Sequence, residues 1–123
     1  MKFAHTLWSA ALLTALVTSA HAQLRIGQPS GFTGSAAAGV KENTEGAKLY
    51  LDAVNRQGGI HGQMVELITM DDKFDPATTA QVGRALVTEQ HVLALFLNRG
   101  TPHSQALLSV LTELRVPLVG PST

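Results

Sequence analysis

Three sets of residues in this sequence have side chains and spacing that could do chemistry. Gly27, Gly31 and Gly34 follow an apolar stretch and precede a helix-like one, the setting in which a glycine-rich turn cradles a phosphate. Their spacing is G-x-x-x-G-x-x-G rather than G-x-G-x-x-G, and no G-K-[ST] follows, so they are expected to form a tight turn close to a small ligand. Asp71, Asp72 and Asp75 could hold a cation or accept a phosphoryl group. A calcium loop also needs a glycine and a distal glutamate that do not follow here, so turn and helix-cap roles are expected instead. His5, His21, His61, His91 and His103 are scattered, with no pair at metal-binding spacing. No serine sits in a G-x-S-x-G elbow. The expectation is a protein with no catalytic residue, no metal and no cofactor, whose chemistry is non-covalent recognition.

Those residues lie between alternating strand-like and helix-like segments. Residues 24–27 read as a short strand, closed by turn-rich residues 28–34. A helix is expected from Ser35 or Ala36 to Gln57, with Val40, Ala47, Leu51 and Val54 on one stripe and Gly58-Gly59 as its stop. Residues 63–70 read as a second strand. Asp75-Pro76 pairs a capping carboxylate with a proline suited to the first helical position. Val82, Ala85, Leu86 and Glu89 are expected on the buried side of that helix. Residues 92–97 are almost wholly apolar, as in a strand covered on both sides. Thr101-Pro102 is read as a second cap-plus-proline start, leading into the stripe Leu107, Val110, Leu111 and Leu114. Residues 116–119 begin a fourth strand.

The order βαβαβαβ with short connections predicts an α/β fold: a parallel sheet with helices on both faces. Ligands of such open sheets bind outside the carboxyl ends of the strands. Here those ends are residues 28–34, 71–74, 98–101 and 120–123.

The start of the chain predicts export. Lys2 precedes an apolar run over residues 7–17, and small residues lead to Ala20-His21-Ala22, the pattern of a secretory signal cleaved after Ala22. The run is shorter than the roughly 20 residues needed to span a bilayer, so no membrane insertion is expected after cleavage. Removing Lys2 from the nine Lys and Arg leaves eight, against nine Asp and Glu. That balance gives no electrostatic reason to expect nucleic acid or anionic lipid as partner. With no cysteine, residues 23–123 must rely on an apolar core, burying about 65% of the unfolded surface.

Ser30-Gly31, the string Gly46-Ala47-Lys48-Leu49-Tyr50-Leu51-Asp52-Ala53-Val54-Asn55 and Gly58-Gly59-Ile60-His61-Gly62 resemble the first unit of the extracellular ligand-binding receptors. More narrowly, they resemble the periplasmic (type I) binding proteins of the branched-chain amino acid, leucine/isoleucine/valine, ABC-transporter family. Asp71-Asp72 with Asp75-Pro76, then Ala94-Leu95-Phe96, Gly100-Thr101-Pro102 and Val116-Pro117-Leu118-Val119-Gly120-Pro121, resemble its second, third and fourth units. The resemblance implies two α/β lobes that close around a small solute, of which residues 23–123 would be a partial N-terminal lobe. It also implies a periplasmic protein that delivers an amino acid or similar polar solute to an inner-membrane ABC permease. Carried onto this chain, the ligand-binding candidates are Ser30, Gly31, Asn98, Arg99, Gly100, Thr101, Ser122 and Thr123.

Two departures accompany the resemblance. Ala36-Ala37-Ala38-Gly39-Val40 lacks the aromatic ring or glycine that many relatives carry before the first helix. Arg99 replaces a small or hydroxyl residue, and is either a partner for an acidic ligand group or an exposed loop arginine. Relatives continue through a hinge and a second lobe, so an N-terminal fragment is expected. Two other readings stay open: a ligand-sensing receptor module of the same fold, and a truncated chain that does not bind. Halving a micromolar complex of about −8 kcal/mol leaves about −4, near millimolar. The uncovered sheet edge beside the fourth strand further predicts weak binding and poor solubility for residues 23–123 alone.

Overall fold

The computed structural model describes residues 23–123. The expected leader, residues 1–22, lies outside the described residues. The elements are β1 (Leu24–Ser30), α1 (Ala37–Arg56), β2 (Val65–Asp71), α2 (Pro76–Thr88), β3 (Ala94–Phe96), α3 (Thr101–Leu114) and β4 (Leu118–Val119). They form one parallel sheet in the order β2-β1-β3-β4, the α/β architecture expected. The chain steps from β1 to β2 in one direction, then crosses β1 to reach β3 and continues outward to β4. Crossovers of one hand therefore put α1 on one face and α2 with α3 on the other. Side chains of β1 report both faces. The Gln28 side chain bonds Thr44 of α1, whereas a Cβ on Gly27 would press into Val92 and Leu86.

β1 runs three residues past the expected boundary, through Gln28, Pro29 and Ser30. Its register with β2 continues through Pro29 opposite Met70 and Ser30 opposite Asp71. Pro29 is tolerated because of the side its backbone faces. The Leu24 N–H donates to Met64 on the β2 flank, while the Arg25 carbonyl accepts from Leu93 on the other. Pro29 shares the parity of Arg25, and β3 pairs with β1 only at Ile26 and Gly27. The missing N–H thus falls where no strand asks for it. Polar Gln28 is fully buried in this extension, where Thr44 and the Leu97 carbonyl take up its amide.

The tight core lies under α2 and α3. Leu86, Val92, Leu95 and Leu107 are buried together, with Ile68, Met70, Val82, Leu111 and Leu118 packed around them. Each such leucine contributes roughly 1.5–3 kcal/mol by burial. Helix α2 turns Thr79, Gly83 and Leu86 inward. Gly83 leaves the space that a Leu107 methyl group occupies, and so lets the two helices approach. Glu89, expected on this face, is exposed as the C-terminal cap of α2. Only Val40 and Thr44 of α1 are buried. The C-terminal half of the expected stripe, Leu51 and Val54, instead lines an open apolar groove of about 390 Å³ with Ile26, Tyr50, Phe96 and Val119. β2 starts at Val65 rather than at residue 63, since Gln63 closes a turn with Ile60. β3 and β4 are shorter than their apolar runs, with Leu97 and Pro117 adding single backbone bonds across the pair.

Candidate functional site

All four strand ends meet on one side of the sheet. The order reverses between β1 and β3, and the crevice at such a switch point is where open α/β sheets take their ligands. Two corners flank it, one built on β2 and one on β1, β3 and β4.

The β2 corner is closed on itself. Asp71 accepts from the Thr33 hydroxyl at 2.6 Å, the Thr33 N–H at 3.1 Å and the Lys73 N–H at 2.9 Å. Asp72, fully buried, accepts from the Phe74 N–H at 2.9 Å and the Thr79 hydroxyl at 2.7 Å. Asp75 caps α2 by accepting from the N–H and hydroxyl of Thr78 at 2.8 and 2.6 Å. The turn and cap roles expected of these aspartates are the ones observed. Burial pushes the Asp71 carboxyl up, but the bonds from Thr33 and the neighbouring N–H groups outweigh it and hold the group below its usual range. The Thr78 hydroxyl and N–H likewise hold Asp75 low. Among the described residues no group of three His, Cys, Asp or Glu side chains could hold a metal ion.

The other corner gathers most of the residues carried over by resemblance. Ser30 ends β1 fully buried, with a hydroxyl that has no hydrogen-bond partner. Gly31 follows, where a Cβ would stand 2.8 Å from the Cβ of Phe74, so only glycine lets the loops after β1 and β2 touch. From the third strand, Asn98 is buried and its amide donates to the Ser104 hydroxyl at 3.0 Å. Its side chain thus fixes the loop rather than facing the crevice. Ser122 pairs with this loop as a short extension of the sheet: its N–H donates to the Asn98 carbonyl at 2.9 Å, and its carbonyl accepts from Gly100 at 2.7 Å. Arg99 lies between them, half-buried, its guanidinium against Gly39 of α1. Thr123 is exposed beyond Ser122.

Helix α3 begins one residue earlier than expected. Gly100, at φ 102°, is the cap residue, and Thr101 is already helical. The Ser104 N–H and hydroxyl both bond the Gly100 carbonyl, which winds the first turn around Gly100. Thr101 therefore caps nothing, and no side chain caps α3 or α1, nor does either carry an acidic residue in its first turn. The N–H groups of Thr101 and His103 find no acceptor among the described residues. These first-turn amides carry the positive end of the helix dipole.

Sequence reasoning missed His103. It is buried at 4% exposure, neither ring nitrogen has a partner, and it stacks on Phe74 with centroids 4.3 Å apart. The ring also lies against Gly100, leaving no room there for a Cβ. Phe74 thereby ties the loops after β1 and β2 to the start of α3. The two residues are 29 apart in the chain, so no local pattern announces the contact.

The sequence profile of the family described as periplasmic binding protein matches residues 23–123. Among solved structures, the branched-chain amino acid transporter substrate-binding protein LivJ of Streptococcus pneumoniae, in complex with isoleucine, is 31% identical with a TM-score of 0.77. That alignment covers 83% of this chain and 30% of LivJ. A substrate-binding periplasmic protein from Ralstonia solanacearum is 34% identical with a TM-score of 0.77, over 80% of this chain and 29% of that one. An extracellular ligand-binding receptor from Verminephrobacter eiseniae is 34% identical with a TM-score of 0.73, over 81% and 28%. No curated protein sequence matches the chain. The chain spans about 30% of the length of these solved relatives.

Proposed function

Because the chain belongs to the periplasmic binding protein family, we propose that it supplies the first lobe of an extracytoplasmic solute-binding protein serving an ABC permease. The family binds solutes and is not one of enzymes, in keeping with a strand-end crevice built from hydroxyls and amides. The solute is an amino acid or similar small molecule with a carboxylate. The observation that carries this reading is the convergence of unused donors on one corner: the Ser30 hydroxyl and the N–H groups of Thr101 and His103. Buried or dipole-aligned donors without acceptors suit a ligand that brings its own oxygens. The isoleucine complex of LivJ supports an amino acid as one member of the class.

In this reading Ser30, Gly31, Arg99, Gly100, Thr101, Ser122 and Thr123 form the binding rim, and Asn98 braces it. Residues 1–22 are removed on export, which mass spectrometry of the exported product tests: its first residue should be Gln23. Solute binding is tested by thermal shift of the exported chain against a panel of amino acids, amides and small carboxylates, each taken to tens of millimolar because a single lobe is expected to bind near millimolar. A rise in melting temperature with a subset of the panel is expected. No rise with any member would overturn the reading.

A further inference from the structure

The charged groups around the crevice are unevenly engaged. Asp71, Asp72 and Asp75 each accept at least two hydrogen bonds from the protein itself, which hold their carboxylates in place as braces of the β2 corner. Arg99 is the reverse case. It makes no ion pair and no side-chain hydrogen bond among the described residues, yet it is not a loose surface arginine. Its guanidinium is half-buried over Gly39, close enough that a Cβ there would stand 3.3 Å from Nη1. Gly39 belongs to the first turn of α1, the helix that carries neither a capping side chain nor an early acidic residue. Ser30 shares the α1-facing side of β1 with Gln28, and its fully buried hydroxyl is unpartnered. Lys73 adds a second cation on an exposed loop across the crevice.

A guanidinium fork, a buried hydroxyl and two uncapped helix starts on one rim are complementary to an anion. We propose that Arg99 is a specificity-determining residue and that the solute is a small carboxylate of net negative charge rather than a neutral zwitterion. The inference rests on the solute-binding reading and narrows its ligand class. For a neutral amino acid, the half-buried Arg99 would repel the ammonium, and the aspartates at the end of β2 are already engaged by Thr33, Thr78 and Thr79.

The test compares glutarate with L-leucine on the full chain, following amide chemical shifts to tens of millimolar ligand. It is repeated for Arg99→Gln, Arg99→Lys and Lys73→Ala, with melting curves to confirm that each variant is folded. Glutarate should bind at least about tenfold tighter than leucine, and should weaken at high salt, because part of the attraction is screened. Arg99→Gln should erase the preference and Arg99→Lys retain only part of it, since an ammonium lacks the planar fork. Lys73→Ala should leave it within about twofold. Leucine binding as tightly as glutarate, or a preference untouched in a folded Arg99→Gln chain, overturns the inference while the solute-binding reading stands. If neither probe binds while another solute of the panel does, the inference falls and the solute-binding reading stands; if nothing in the panel binds, both fall together.

Discussion

The corner at the end of β2 and the corner at the ends of β1, β3 and β4 are made of similar residues but use them differently. At the first, three aspartates are consumed by backbone N–H groups and threonine hydroxyls a few residues away. At the second, a serine hydroxyl, two helix-start amides and a guanidinium have nothing of their own to bind. Polar residues at a strand end therefore do not mark a site by their type. Whether their hydrogen-bonding capacity is already used is what separates a brace from a binding surface. The same distinction divides Asn98, tied to Ser104, from its neighbour Arg99.

Substitutions can break this contrast in order of expected size. Asp72→Ala should be the most damaging, because it leaves the Phe74 N–H and the buried Thr79 hydroxyl without an acceptor. A loss of about 3 kcal/mol is expected in urea denaturation. Gly100→Ala comes next, with a loss of about 1–3 kcal/mol, since the residue sits at φ 102° with the His103 ring against it. This variant should also weaken ligand binding, because the cap positions the free amides of α3.

Acid should act on the β2 corner, and also on Glu113, which Arg84 holds low. Asp71 and Asp75 titrate lower in the folded chain than the ordinary 3.8. Their ionised forms thus favour folding above that value, and the contribution is lost as pH falls through the depressed folded values. Urea midpoints followed from neutral pH to below pH 3 should decline over that acid range, and Thr78→Val should make the decline shallower by removing a donor to Asp75. The smallest stability effect belongs to the other corner. Arg99→Gln should change stability by less than about 0.5 kcal/mol while removing most anion binding, a separation that a purely structural arginine would not give.

Much of the scaffold was legible because its signals are local. The Asp75-Pro76 start and the Leu107, Val110, Leu111 stripe are read within one or two helical turns, and the structure places both as expected. β1 was cut short because Gln28-Pro29-Ser30 looks like a turn. Its burial depends on Thr44 and Leu97, 16 and 69 residues away. The α1 stripe was legible as one face of the helix, but nothing in its periodicity reveals that Leu51 and Val54 line an open groove beside Tyr50, which is 73% exposed. At the site, the strand-end segments were legible from the βαβ alternation. The inward turn of Asn98, the Phe74–His103 stack and the contact of Arg99 with Gly39 were not, because each is set by packing between distant segments.

The most direct test of the central claim is a map of ligand-induced amide shifts across the chain, with carboxylate and amino acid probes. The account predicts that Gly31, Thr101, His103 and Ser122 move together, while Thr78 at the cap of α2 and Tyr50 at the apolar groove stay still. Shifts centred on Tyr50, Leu51 and Phe96, or no shift with any probe, would contradict it.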